Sequence, residues 1–270
     1  MFRKKRIYFI LADENLFHPF YLKELLKKLN KKEYAVVGIT ILEHTPPKGF
    51  IYFLTQQLQL WGVLGFLFIA LNSLSRSIFE YIHNNIPTIK NIGRKYKIPV
   101  IKVTDVNDLN HINYINKKQI DIIISSCGQI FKKRLLAVPK IACINRHTAL
   151  LPKYGGVLPV FWAMYRHEKK FGVSVHYMIE AVDKGEVLYQ EAIPIQEGIS
   201  LFRNYVLGFE ISVSVTLKAL ENLRYRKVMH SLSPNKDQYF SHPTFKQMKD
   251  FRRYFNSFSL KDAFVFFKKY

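Results

Sequence analysis

Asn145 and His147 stand on either side of one residue at the end of an apolar run. They lead straight into Leu150-Leu151-Pro152-Lys153-Tyr154-Gly155-Gly156. In a β-strand, residues two apart point to the same face, so an amide and an imidazole are presented to one spot. The carboxyl ends of strands are where open α/β sheets place ligands and chemistry. An acid, Asp183, follows in Val182-Asp183-Lys184-Gly185-Glu186-Val187, a turn between two apolar runs that can return it to the imidazole. Amide, imidazole and carboxylate are together the parts needed to hold and neutralise a developing oxyanion. Taken singly, Asn-x-His is an ordinary turn or surface pair, and Asp before Lys-Gly an ordinary turn former. Their joint occurrence around Leu150-Leu151-Pro152 is what points to chemistry.

Those three side chains need a scaffold, and the apolar pattern supplies one. Strands are expected over residues 7–11, 34–42, 100–103, 120–125 and 142–145, with helices over 17–29, up to 97, 109–118 and 130–137 between them. Strand and helix alternating in this way build an open, mostly parallel sheet with helices on both faces, an α/β fold with right-handed crossovers. Residues 173–178 and 187–195 read as a strand pair with Asp183 in their connection. Residues 199–224 read as one long helix, because Phe202, Val206, Phe209, Val213, Leu217 and Leu220 recur at steps of three or four. The expected organisation is one catalytic domain over residues 1–198, with an apolar helical insertion at about 46–87. A helical, basic and aromatic C-terminal appendage follows over 199–270.

Composition bounds the function classes. A chain of 270 residues can bury roughly three quarters of its unfolded surface, so an ordinary core is available. Cys127 and Cys143 both lie in apolar runs, which suits buried thiols in a reducing compartment. The basic start Arg3-Lys4-Lys5-Arg6 precedes an apolar run that ends at Asp13-Glu14, too short for a signal peptide, so a cytoplasmic location is expected. The formal net charge of +21 suits an anionic partner: nucleic acid, anionic lipid or a phosphorylated substrate. Dispersed lysines on solvated faces are the plainer explanation of the same charge. Leu11-Ala12-Asp13-Glu14-Asn15 carries no glycine, so a nicotinamide-binding enzyme is not expected. Histidines 18, 44, 83, 111 and 167 lack metal-ligand spacing, and no metal is expected.

Residues 49–75 contain no charged side chain, and 60–71 are unbroken apolar residues and glycine. That uninterrupted part is shorter than the ~18 residues or more of a spanning helix. A helical hairpin that rests on a membrane face or lines an acceptor pocket is one expectation; a buried core helix or a dimer contact is the other.

The stretch 145–190 resembles the folate-dependent formyltransferases, the group that includes glycinamide ribonucleotide, methionyl-tRNA and nucleotide amino-sugar formyltransferases. Their pattern Asn-x-His-x-Ser-Leu-Leu-Pro-x-Tyr-x-Gly appears as Asn145, His147, Leu150-Leu151-Pro152, Tyr154 and Gly156. Pro159, Trp162-Ala163, Gly172-Val173-Ser174-Val175-His176, Asp183, Gly185 and Val187 follow in the family's order. Upstream, Gly128-Gln129-Ile130 is similar to the strand end beside the family's folate pocket. Ala149 replaces the usual Ser, and Gly155 stands where methionyl-tRNA enzymes usually carry Arg.

The resemblance implies a transferase of one-carbon metabolism that moves a formyl group from 10-formyltetrahydrofolate to a primary amine. Asn145, His147 and Asp183 would be catalytic. Gly128, Gln129, Ile130, Ala149, Leu150, Leu151 and Pro152 would bind the folate, largely through backbone. His176 also has a counterpart in the family, although its strand alternation reads as packing. The favoured acceptor is an amino sugar on a nucleotide or lipid carrier, because about seventy residues after Gly198 leave little room for the extra domain of methionyl-tRNA enzymes. Charged tRNA is the alternative acceptor. A formyltetrahydrofolate hydrolase, or a non-catalytic membrane or nucleic-acid binding module on the same fold, completes the expectations.

Overall fold

The first strand explains why helices cover both sides of the sheet. In β1 (Lys5–Ala12), Ile7, Phe9 and Leu11 enter one apolar cluster while Tyr8 and Ile10 enter another, and all five are fully buried. Alternation with both faces apolar belongs to a central strand of a covered parallel sheet. The structure is a computed structural model that describes residues 3–43, 49–82, 87–230 and 239–269.

In chain order, α1 (His18–Lys28), β2 (Tyr34–Leu42), α2 (Phe50–Ile82), α3 (Ile89–Tyr96), β3 (Val100–Val103), α4 (Leu109–Asn116) and β4 (Ile122–Ser126) follow β1. Then come α5 (Lys133–Leu136), β5 (Ala142–His147), β6 (Gly155–Gly156), α6 (Pro159–Tyr165), β7 (Lys170–Tyr177), β8 (Val187–Pro194) and α7 (Leu201–Arg224). β9 (Tyr239–Phe240), α8 (Phe245–Tyr254) and α9 (Leu260–Lys269) close the described chain. The main sheet runs β3-β2-β1-β4-β5-β7-β8; neighbours from β3 to β5 pair parallel, and β5-β7 and β7-β8 pair antiparallel. The strand order turns back between β1 and β4, so a crevice opens at the carboxyl ends of the strands there. β5 ends beside it with Asn145 and His147.

The expected mostly parallel α/β sheet is what the chain forms, and three local expectations change. The helix expected over 130–137 shrinks to one turn, α5. The Asn107 side chain donates to the Ile130 carbonyl (3.0 Å) and accepts from the Lys132 N–H (2.8 Å), which holds that backbone out of helix. The strand expected to stop at Asn145 runs on through His147, because His147 pairs with Ser174 of β7. The insertion expected as a hairpin or one core helix is two helical segments within α2 that meet at a kink, because Gly62 leaves helical geometry at φ 70° and ψ 176°. Residues 46–48 and 83–86 of that insertion, with His44 and His83, lie outside the described residues.

One side of α2 packs on the domain. Leu60 and Trp61 are buried, and Trp61 meets Phe202 and Tyr205 of α7 edge-on at 6.1 and 6.0 Å. Phe68 stacks on Phe258 at 5.0 Å and sits edge-on to Phe266 of α9 at 5.7 Å. α7 carries the expected apolar stripe against the sheet, with Ser200 capping it by accepting from the Arg203 N–H. The basic aromatic tail resolves into helices: Thr244 and Gln247 close a capping box at the start of α8, and Phe251 stacks on Phe161 of α6 at 4.7 Å.

Candidate active site

Register builds the site. β5 and β7 run antiparallel with Asn145 opposite His176 and His147 opposite Ser174. Because side chains alternate, Arg146 leaves by the other face, where its guanidinium lies 3.9 Å from the centre of the Phe209 ring. Burial lowers the Arg146 pKa to about 10. Asp183 comes back from the β7-β8 connection: its Oδ1 lies 3.5 Å from His176 Nε2 and its Oδ2 3.8 Å from His147 Nε2. Gly185 makes this return possible. A Cβ there would sit 1.9 Å from the Tyr177 carbonyl oxygen, so only glycine lets the loop close on the strand end.

The hydrogen bonds fix most of the protons. His147 Nε2 donates to the Tyr154 carbonyl at 3.0 Å and His176 Nδ1 donates to the Tyr177 carbonyl at 2.8 Å, since a carbonyl can only accept. Asp183 Oδ2 accepts the Gly156 N–H at 2.7 Å. Gly156 itself holds φ 94°, and a Cβ there would meet the Phe240 carbonyl at 2.3 Å. The Asn145 side-chain amide lies 3.4 Å from His176 Nε2, and its carbonyl oxygen is buried without a partner. That oxygen, an acceptor without a partner among the described residues, is left for a donor that enters the cavity. Ser174 secures the following loop: the Leu151 N–H donates to its Oγ, and its hydroxyl donates to the Ala149 carbonyl.

Burial alone would raise the Asp183 carboxyl. The charge of His147, the hydrogen bond and charge of His176, and the Gly156 N–H outweigh that and hold it well below the ordinary carboxylate range. Its folded form therefore binds a proton less readily than its unfolded form. The stability this group contributes is complete above the ordinary carboxylate pKa of ~4 and is lost as pH falls through the lower folded value. Asp183→Asn is expected to remove that loss: melting temperature followed from neutral pH to below ~4 should fall less steeply in the variant than in the native chain. Equal slopes would contradict the assignment.

Asn145, His147 and Asp183 line one cavity of about 180 Å³, and the same cavity is lined by Gly128, Gln129 and Ile130. Phe131, Met178, Ile179 and Val182 give it apolar walls. Ala149, Leu150, Leu151 and Pro152 are placed elsewhere, in a separate cavity of about 260 Å³ with Lys153, Pro159 and Phe171. The Ala149 carbonyl and the Leu151 N–H are both engaged by Ser174, which fixes the loop that lines this second cavity. His176 is the residue the sequence undervalued. The signal was its register opposite Asn145, which strand alternation alone does not reveal. The segment 179–182 was also missed as cavity lining. A third and larger cavity, about 820 Å³, shares Gly128, Gln129 and Val157 with the first. Tyr52, Phe53, Gln56 and Gln57 of α2 line it together with Ser241, His242, Pro243 and Thr244. Trp162 Nε1 donates to the Ser241 carbonyl at 3.1 Å and so ties this tail to the site. No group of three His, Cys, Asp or Glu side chains able to hold a metal ion occurs among the described residues.

Residues 85–203 match the formyl transferase family model. A methionyl-tRNA formyltransferase of Staphylococcus aureus is 33% identical over 112 residues, which is 41% of this chain and 36% of that protein. The chain thus spans about a third of the length of the curated relatives it matches. Among solved structures, phosphoribosylglycinamide formyltransferase from Bacillus halodurans superposes with TM-score 0.57 at 17% identity over 81% of this chain and 95% of that one. An N-formyltransferase from Helicobacter canadensis, in complex with folinic acid and dTDP-3-aminofucose, superposes with TM-score 0.52 at 16% identity over 88% of this chain and 71% of that one. These likenesses establish the fold.

Proposed function

We propose that this chain, whose residues 85–203 match the formyl transferase family model, moves a formyl group from 10-formyltetrahydrofolate to the primary amine of an amino sugar. The observation that carries the reading is one cavity edged by Asn145, His147 and Asp183 that shares Gly128, Gln129 and Val157 with a second, larger one. The donor supplies a formyl carbon open to attack by an amine. Its flat ring suits the smaller cavity, between Ile130, Phe131, Ile179 and Val182 and the backbone of Gly128 and Gln129. A member of the structural family bound to folinic acid supports this choice of donor.

The residues of the chain then divide the work. Negative charge that develops on the formyl oxygen is met by hydrogen bonds from the Asn145 amide N–H and from the His147 ring nitrogen not engaged by the Tyr154 carbonyl. Asp183 takes the amine proton directly or through a water, and the proton passes to N10 as the bond between N10 and the formyl carbon breaks and tetrahydrofolate leaves. At 3.8 Å the His147–Asp183 contact is an ion pair and not a hydrogen bond. His176 is a positioning residue: it stands 3.4 Å from the amide and 3.5 Å from the carboxylate and keeps both facing the cavity.

The acceptor reading rests on the larger cavity. Aromatic rings from Tyr52 and Phe53 beside amides from Gln56 and Gln57 suit a sugar, whose faces are apolar and whose rim is hydroxyl. The similarity to a methionyl-tRNA enzyme supports a second reading, in which the acceptor is charged tRNA. Incubation of the native chain with 10-formyltetrahydrofolate and, separately, nucleotide amino sugars and methionyl-tRNA distinguishes them by mass spectrometry. The expected result is a product heavier than the amino sugar by one CO, with tetrahydrofolate released. Formylated methionyl-tRNA would support the second reading, and free formate without any amide would mark a hydrolase.

A further inference from the structure

After the bend at Gly62, α2 turns a face to the outside that no segment among the described residues covers. Val63, Leu64, Leu67, Leu71, Leu74 and Ile78 are each between 48% and 64% exposed. Every exposed side chain described in this stretch is apolar. A contiguous apolar face of this kind on an otherwise strongly charged protein marks a contact surface. We propose that this face lies in the plane of an anionic bilayer, and that the amine entering the site is carried on a lipid head group. The second part rests on the formyl-transfer reading; the first does not.

Three observations select a bilayer. First, the helix has the length and composition to cross a membrane over residues 50–76, yet its other side is committed to the protein. Trp61 and Phe68 pack against Phe202, and Arg76 is buried with its Nε bonded to Asn72 Oδ1 at 2.7 Å. A helix held along one side, and bent at Gly62, lies flat on a membrane and does not span it. Second, the steps 64, 67, 71, 74 and 78 alternate three and four as in a coiled-coil seam, which makes a second copy of the chain the competing occupant. Such seams set their register with flanking charges, and residues 49–75 contain none. Acyl chains need no register. Third, the neighbouring helices are basic. Lys246, Lys249 and Lys261 are exposed, whereas Asp250 and Arg253 pair with each other at 3.0 Å and Asp262 is buried against Ser200 and Ser259. α9, joined to α2 through Phe266 and Phe68, leaves Leu260 and Phe264 each 71% exposed. Apolar residues flanked by lysine and arginine fit a surface of anionic lipid.

The first half of the same helix links this surface to the chemistry. Tyr52, Phe53, Gln56 and Gln57 line the large cavity that shares Gly128, Gln129 and Val157 with the catalytic one. One helix therefore touches the membrane with one half and the acceptor cavity with the other. A sugar amine on a lipid carrier enters the cavity while its chain stays in the bilayer.

Flotation with vesicles tests the surface. The native chain is expected to float with phosphatidylcholine containing about a third phosphatidylglycerol, and to float much less with phosphatidylcholine alone or in high salt. The double variants Leu67→Asp/Leu71→Asp and, more gently, Leu64→Ser/Leu71→Ser should lose roughly tenfold or more of that binding, with turnover on a soluble amino sugar unchanged. A native chain that stays with the aqueous phase, or that sizes as a dimer split by these variants, overturns the bilayer proposal. In the same vesicles, an amino sugar on a polyisoprenyl phosphate should be formylated faster than the same sugar on a nucleotide. Formylation of the nucleotide sugar alone overturns the lipid-linked acceptor and leaves formyl transfer standing. Flotation without formylation of either sugar overturns the amino-sugar acceptor and leaves the membrane surface standing; formyl transfer itself falls only if methionyl-tRNA also stays unformylated.

Discussion

Alanine at Asn145 or at His147 is expected to lower turnover by about a hundredfold or more, which is ~3 kcal/mol of lost transition-state stabilisation for each donor. The expectation follows from placement. Asn145 is set by its pairing with His176 across β5 and β7, and its side-chain carbonyl has no partner among the described residues. His147 is aimed by the Tyr154 carbonyl and faced by the Asp183 carboxylate. Neither side chain supports the apolar core, so both variants should keep the native circular dichroism and melt cooperatively. The losses should not add in the double variant, because the two donors serve one oxyanion. Near-native turnover in either single variant would remove that residue from the mechanism.

Gly185→Val is expected to lose turnover to a similar extent while leaving Asn145, His147 and Asp183 all in the sequence. Its side chain would begin 1.9 Å from the Tyr177 carbonyl, and backbone cannot yield as a flexible side chain can. The β7-β8 connection must then swing away and take the carboxylate with it. The cost to stability should be of order 1–3 kcal/mol, the ordinary price of overpacking a close contact. The cost to turnover, about a hundredfold, should be larger and should resemble that of Asp183→Ala. Steady-state kinetics beside a thermal melt separate the two effects. If the Gly185→Val chain turned over normally, Asp183 would need no such loop to do its part.

These expectations show where the sequence was legible. Asn145 and His147 were readable because strand alternation is a fixed geometric rule, and Asp183 because Lys184-Gly185 announces a turn. The long helix α7 was readable from its stripe of Phe202, Val206, Phe209 and Val213. His176 was not, since its importance comes from lying opposite Asn145, and pairing register between strands separated by a long loop is set by tertiary packing. The separation of Ala149, Leu150, Leu151 and Pro152 from the catalytic cavity was hidden for a similar reason. The Ser174 hydroxyl that takes up the Ala149 and Leu151 backbone sits on another strand. α2 shows a third kind of limit: absence of charge in residues 49–75 signalled something unusual, but only packing reveals that one side meets Phe202 and the other meets none of the described chain.

The central claim is that one amide, one imidazole and one carboxylate act together on a formyl group passed to an amine. Release of tetrahydrofolate from 10-formyltetrahydrofolate, measured with and without an amino sugar on the native chain and on His147→Ala, tests it most directly. Release that requires the amine and falls by about two orders of magnitude in the variant is the predicted result. Release independent of amine, or equal in both chains, would contradict the account.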